Sequence, residues 1–215
     1  MLIIIIIVVI IVVIYYFVYK RRLYSSEYFI SDNGNQLINK LMIVAHPDDE
    51  LIFGGKELLK EKGWKVICVT NASRKSHNLF SNNFKKKRYA EFITVMNRLG
   101  HAYEIWDFED NLYNANWDDK LLLKQLKRVI NERKYDKIVT HNLEGEYGHV
   151  QHIKVSQLVH QLRPANLFVF SYEKTQTNEY LSELNELLAV YHSQNQSIHS
   201  HHDKILHQTV KGIFI

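Results

Sequence analysis

Apolar runs alternate with amphipathic stretches along most of this chain. Residues 40–45, 64–70, 101–107, 136–141 and 165–171 are short, strongly apolar segments bounded by polar residues, and they read as strands. Residues 49–62, 81–99, 117–133, 149–162 and 177–191 repeat their apolar positions at helical spacing, as Leu51, Ile52, Leu58 and Leu59 do in the first. Strand and helix in alternation predict βαβ units and an α/β fold, a mostly parallel sheet flanked by helices. Right-handed crossovers then bring every strand's C-terminal end to one edge, where open α/β sheets bind their ligands.

The pattern breaks at the N-terminus. Leu2 to Tyr19 is an unbroken apolar and aromatic run of about 18 residues, about 27 Å long as a helix, close to the thickness of a bilayer core. The run is longer than a signal-peptide core, carries no basic residues before it and offers no small-residue cleavage site, so an uncleaved single-pass helix is expected. Tyr15, Tyr16 and Tyr19 suit an interfacial belt, and Lys20-Arg21-Arg22 behind them place the rest of the chain in the cytosol by the positive-inside rule. The expected organisation is an anchor over 1–22, a polar linker over 23–39 containing Asp32-Asn33-Gly34-Asn35, and one catalytic domain over 40–215.

Composition narrows the function without naming it. A hydrophobic content of 46% in 215 residues supports one sizeable core. The single cysteine, Cys68, sits inside Val66-Ile67-Cys68-Val69, which excludes a disulfide framework. A net charge of +4 with dispersed basic residues argues against a nucleic-acid partner, and no protein partner is indicated. Lys85-Lys86-Lys87-Arg88 reads as the exposed start of a helix in preference to a lipid-headgroup patch. His199, His201, His202 and His207 are too irregularly spaced to read as a second metal site.

The candidate chemistry collects at strand ends. The run Leu41 to Ala45 stops at His46-Pro47-Asp48-Asp49-Glu50, a cluster that no core absorbs unpaired, and Pro47 ends the strand. Asn71, Ser73 and Arg74 follow the second strand, Asp107 and Asp110 the third, and His141 and residues 144–152 the fourth. His149 and His152 stand three apart at a helix start, so they share a face. With His46 and one acid from the first turn, this face completes a set of two imidazoles, a carboxylate and an open coordination position, a catalytic zinc pattern suited to amide or ester hydrolysis. Neighbouring Asp48 and Asp49 diverge, so one ligates while the other faces water as general base, and the residues alone leave open which does which. An isolated His-Pro-Asp-Asp turn also admits a helix cap with a solvated acid pair, and His141 reads equally as a site partner or a backbone-satisfied histidine.

Ala45-His46-Pro47-Asp48-Asp49-Glu50, followed by Gly145-Glu146-Tyr147-Gly148-His149 and His152, resembles the zinc-dependent de-N-acetylase family of LmbE-like and PIG-L proteins, over about Lys40 to Gln194. The resemblance implies a Rossmann-like α/β fold, zinc on His46, Asp49 and His152, Asp48 as general base, and His149 as oxyanion donor or acid to the leaving amine. It also matches Arg88 to an arginine that holds substrate and Asp110 to an acid that meets the sugar. Iron or cobalt suits the same ligands as zinc. Gln151 is a departure, since many bacterial relatives carry Asp between the two histidines. A neutral amide cannot hold His149 protonated, which favours His149 as hydrogen-bond donor. The implied substrate contains N-acetylglucosamine. Together with the anchor, this points to lipid-linked N-acetylglucosaminyl-phosphatidylinositol, at the endoplasmic reticulum in a eukaryote, for glycosylphosphatidylinositol-anchor synthesis. A soluble glycoside, a nucleotide sugar, or a non-catalytic membrane-tethered binding role are the alternatives.

Overall fold

In the computed structural model, residues 10, 12–14, 37–71, 79–174 and 179–213 are described. Six strands form one sheet: β1 (Lys40–Val44), β2 (Trp64–Thr70), β3 (Ala102–Phe108), β4 (Lys137–Thr140), β5 (Leu167–Tyr172) and β6 (Gln208–Gly212), in the order β3-β2-β1-β4-β5-β6. The first five run parallel, with Met42 opposite Val66 on one side and Val139 on the other, and β6 closes the edge antiparallel to β5. The helices are α1 (Asp49–Lys60), α2 (Leu79–Leu99), α3 (Asp119–Ile130), the single turn α4 (Gly145–Gly148), α5 (Val150–Gln161), α6 (Leu181–Leu188), α7 (Asn195–Ser200) and α8 (His202–His207).

The two cores follow from the two-residue period of β1. Met42 and Val44 point into a cluster with Leu51, Leu58, Phe92, Met96 and Leu184, covered by α1, α2 and α6. Leu41, Ile43 and Ala45 point the other way, to Leu122, Leu126, Val155 and Val159 of α3 and α5. A strand buried on both faces has no polar side to show, which is why β1 and β2 are nearly continuous apolar runs. Gly54 lets α1 lie close against the sheet, because a Cβ there would stand 2.6 Å from Met42 Cε and 2.9 Å from Phe170 Cε1. Reversal of strand order at β1 opens a crevice between the carboxyl ends of β1 and β4.

The predicted alternation is the observed one, with ends moved by a few residues. The helix expected over 149–162 is observed as α5, with the separate turn α4 just before it, and the one expected over 177–191 is described as the shorter α6. Sequence reading missed β6, α7 and α8. Gln208-Thr209-Val210-Lys211-Gly212 carries one strongly apolar residue and pairs on one side only, so hydrophobic patterning has little to find there. Gln208 is nevertheless buried, its side-chain amide donating to Leu51 O and Ile52 O of α1 and its oxygen accepting from Lys56 N. Of the N-terminal apolar run, Ile10 and residues 12–14 are described, as helical residues. The rest of the expected anchor, the linker up to residue 36, and Ser73 and Arg74 lie outside the described residues. Among the described residues no helix is long and apolar enough to cross a membrane.

Glu104 is the one fully buried acid of β3, and it is matched on three sides. It accepts from Trp106 Nε1 at 2.9 Å and Arg128 Nη2 at 2.5 Å, and pairs with Lys65 Nζ at 2.7 Å. Burial raises its carboxyl, but these partners outweigh burial and hold it below the ordinary range. The sign is that of a depressed acid, stabilising above the unfolded value of about 4.3 and fading as pH falls through the lower folded value. Glu104→Gln is expected to cost about 3 kcal/mol at pH 7, read from urea midpoints, with the gap to wild type narrowing below about pH 4. A gap unchanged across that range would contradict the charge pairing.

Candidate metal centre

The strand-to-helix turn after β1 is strained in a useful way. Asp48 holds the N-cap position of α1 with φ 118° and ψ −29°, outside the comfortable region for a residue with a side chain. Its carboxylate makes no capping bond to the helix, and both Asp48 and Asp49 are buried, so the plain reading of a cap with a solvated acid pair does not hold. Two anchors fix the turn: Asp48 C=O accepts from Leu51 N and Ile52 N, and Asp48 N–H donates to Glu50 Oε2 at 3.0 Å. Glu50 is itself held by Tyr191, whose hydroxyl donates to Oε1 at 2.5 Å. The strain frees the Asp48 side chain to face the crevice while Asp49 turns back toward the sheet.

Three metal-type donors then meet at one point. His46 Nδ1 lies 3.1 Å from Asp49 Oδ2 and 3.1 Å from His152 Nε2, and His152 Nε2 lies 3.2 Å from Asp49 Oδ2. Ligands bound at about 2.0–2.1 Å from one zinc stand about 3.0–3.4 Å apart, so this triangle has the span of a coordination face. Burial alone would keep His152 neutral, yet Asp49 and Glu146 raise it to about 10, while the Asp49 carboxyl sits well below its usual range. A buried carboxylate that holds an imidazolium is a site that demands a cation. By geometry and charge, the residues fit a divalent metal.

Hydrogen bonds behind the triangle fix which nitrogen faces it. His152 Nδ1 donates to Glu146 Oε2 at 2.7 Å, leaving Nε2 for the metal point. His141 Nδ1 donates to the same Oε2 at 2.7 Å, while its Nε2 accepts from Ala45 N–H at 2.9 Å, so His141 is both a partner of the site and satisfied by backbone. Glu146 takes a positive φ of 61° to make this bridge, and its second oxygen accepts from Asn142 N. On the other ligand, Gln151 Nε2 gives its hydrogens to the carbonyls of Glu109 and Asn114, at 2.9 and 3.0 Å. Its Oε1 therefore faces His46 Nε2 at 2.7 Å and accepts from it, turning Nδ1 to the metal point. Gln151 thus acts on His46 through its side chain and meets His149 through its backbone N–H.

His149 caps α5, its Nδ1 accepting from Gln151 N–H at 3.2 Å. The ring proton consequently sits on Nε2. Burial, with His46 and His152 nearby, lowers His149 to about 3, so the ring is a neutral donor. It stacks on His152 with ring centres 4.6 Å apart, the shared face expected from their spacing. Arg88 ends the basic cluster of Lys85 to Lys87, which lies inside α2 and not at its start, and is buried, donating to Asp48 Oδ1 at 3.1 Å, Asp110 Oδ2 at 2.5 Å and Pro47 O at 2.8 Å. Lys86 and Lys87 remain exposed. Burial pushes the Asp48 carboxyl up to about 7 against the pull of Arg88.

All seven predicted site residues, His46, Asp48, Asp49, Arg88, Asp110, His149 and His152, meet around this crevice, and a cavity of about 520 Å³ opens over all of them except the fully buried His152. Sequence reasoning missed the far wall, built by Gln194, Gln196, Ser197 and His201 from the C-terminal segment. Uncharged polar residues on short helices carry no spacing signal. Glu146 was part of the second motif, but its role as a bridge between two histidines depends on β4 and α5 meeting.

Comparison with known proteins accords with this geometry. A sequence model of the PIG-L family, described as GlcNAc-PI de-N-acetylase, matches residues 41–163, more than half of the chain. An uncharacterized protein of Acanthamoeba polyphaga mimivirus is 46% identical over 192 residues, covering 87% of this chain and 85% of its own. Among solved structures, the N,N'-diacetylchitobiose deacetylase of Pyrococcus horikoshii superposes with a TM-score of 0.60 at 14% identity, over 80% of this chain and 84% of its own. GalB, the 4-carboxy-2-hydroxymuconate hydratase of Pseudomonas putida, gives 0.59 at 14% identity, over 82% and 97%. At that identity the two structures establish the fold alone. The family match spans both connections that bear the clustered His and Asp residues, and the chain belongs to the PIG-L family.

Proposed function

We propose that this protein is a metal-dependent de-N-acetylase that releases acetate from an N-acetylglucosamine group. A hydratase shares the fold, so the reading rests on the site. The observation that carries it is a second buried carboxylate, Asp48, standing beside the three-donor triangle and held by Arg88 instead of belonging to it. A ligand set alone would suit a binding protein. A ligand set with an adjacent base and a neutral donor on the other side suits hydrolysis.

His46, Asp49 and His152 would hold the ion, zinc being the first choice for two imidazoles and a carboxylate. A divalent ion there supplies Lewis acidity, polarising an amide carbonyl and acidifying water. Asp48 takes the proton from the attacking water, and a cation held on the adjacent triangle would keep this buried carboxylate ionised at neutral pH. Arg88 and the strained turn fix the direction of that carboxylate. His149 Nε2–H donates to the oxygen on which charge develops. The same His149 is a poor acid, because burial and its two imidazole neighbours keep it neutral, so the leaving amine takes its proton from Asp48.

For the substrate, the family model's description and the chitobiose deacetylase support an N-acetylglucosamine unit. Lipid linkage is supported by the N-terminal apolar run, which would tether the domain on the cytosolic face of a membrane, that of the endoplasmic reticulum in a eukaryotic cell, as in glycosylphosphatidylinositol-anchor synthesis. A soluble glycoside is the second reading, favoured by the uncharged polar far wall of the cavity. Acetate release by the zinc-loaded protein from N-acetylglucosaminyl-phosphatidylinositol and from N,N'-diacetylchitobiose separates them. Preference for the lipid supports the anchored pathway, and preference for the soluble sugar removes it.

Asp48→Asn is expected to retain zinc at wild-type stoichiometry while turnover falls by about 10²–10⁴. Near-normal turnover would remove Asp48 as the base. Glu146→Gln is expected to weaken zinc binding by about 10–100-fold in a chelator competition, because it loosens the carboxylate that orients His152. Wild-type zinc affinity in that variant would show that the bridge to His152 and His141 does not set the ligand geometry.

A further inference from the structure

Large apolar side chains left exposed are unevenly placed on this protein. Apart from the N-terminal run and Leu37, those among the described residues are Leu112, Tyr113, Leu143, Tyr147 and Val150. Leu112 and Tyr113 follow β3, Leu143 and Tyr147 follow β4, and Val150 opens α5. Parallel strands put these connections on one sheet edge, the edge that bears the metal centre. Gln151 ties them together through the carbonyls of Glu109 and Asn114, and Leu112 and Tyr147 line the same cavity. Tyr113 at 84% exposure, Leu143 at 50% and Val150 at 36% lie outside that cavity lining, so a substrate in the cavity does not account for them.

We propose that this apolar rim seats on a lipid bilayer, with the mouth of the metal-centre cavity facing the membrane surface. Leucine, valine and tyrosine are side chains that partition into the interfacial region. The same chain supplies the reason for a bilayer as the occupant: the apolar run from Leu2 to Tyr19 has the length of a membrane span. The run joins the domain at the start of β1, the edge opposite the rim, so the domain has to turn over for the rim to reach the surface. Residues 23–36 reach about 46 Å when extended, while a domain with a radius of gyration of about 16 Å is about 41 Å across, so the tether is long enough. Docking of the rim is independent of the reaction performed inside the cavity.

The test uses the full chain in phosphatidylcholine vesicles with an environment-sensitive thiol fluorophore at Tyr113→Cys, and at Lys134→Cys as a control beside the start of β4. Cys68 is fully buried and escapes labelling. The expected result is a blue shift at position 113 on addition of vesicles, with loss of emission to nitroxide lipids, and neither change at position 134. Adding Leu143→Ser and Val150→Ser is expected to reverse the shift at 113 while zinc affinity is unchanged. A label at 113 that stays in water, a chain that does not associate with vesicles, or a blue shift that follows protein concentration without lipid, as a second copy on the rim would give, overturns the proposal.

Discussion

Two imidazole nitrogens and one carboxylate oxygen held about 3 Å apart inside a protein repel, protonate or bind a cation, and much of this site is arranged around that constraint. The three atoms come from positions 46, 49 and 152, so they meet only because β1 and β4 are neighbours in the sheet. Strand order reverses at β1, and the crevice made by that reversal receives a turn from each side. The fold contributes position, and the two turns contribute chemistry.

Each turn gives up backbone comfort for direction. Asp48 and Glu146 both adopt positive φ without being glycine, and both are pinned by neighbours that make the conformation unavoidable. Glu50 and Tyr191 hold the first, while Asn142 and the two histidines hold the second. Strain at Asp48 points its carboxylate away from the helix it would otherwise cap. Strain at Glu146 places one oxygen against two imidazoles. The result is a division of labour among four acids: Asp49 in the triangle, Asp48 beside it, Asp110 opposite Arg88, and Glu146 behind.

Much of this was legible in the sequence, for reasons that can be named. Doubly buried strands announce themselves as continuous apolar runs, so β1 and β2 were found within a residue or two. His46, Asp48 and Asp49 were conspicuous because polar clusters at strand ends need partners. What stayed hidden depends on contacts distant in sequence. Gln151 gave no sign that its side chain would reach His46 through a loop 37 to 42 residues away, because only the carbonyls of Glu109 and Asn114 decide how its amide is turned. Edge strand β6 and the polar helices forming the far wall lack the hydrophobic period on which pattern reading relies. The burial of Arg88 was obscured by three lysines before it.

The central claim is that His46, Asp49 and His152 form the ligand set and that Asp48 and His149 act beside it. Two other triads are close enough to compete, His46 with His149 and His152, and Asp49 with His141 and His152. Hydrogen bonds disfavour both, since His149 Nδ1 accepts from Gln151 N–H and His141 Nε2 from Ala45 N–H. The direct measurement is a crystal structure of the zinc-loaded protein, with the ion located by its anomalous scattering. A single peak bonded to His46 Nδ1, Asp49 Oδ2 and His152 Nε2, with Asp48 and His149 uncoordinated, is the predicted result. A peak coordinated by His149 or His141 would contradict the assignment of base and donor.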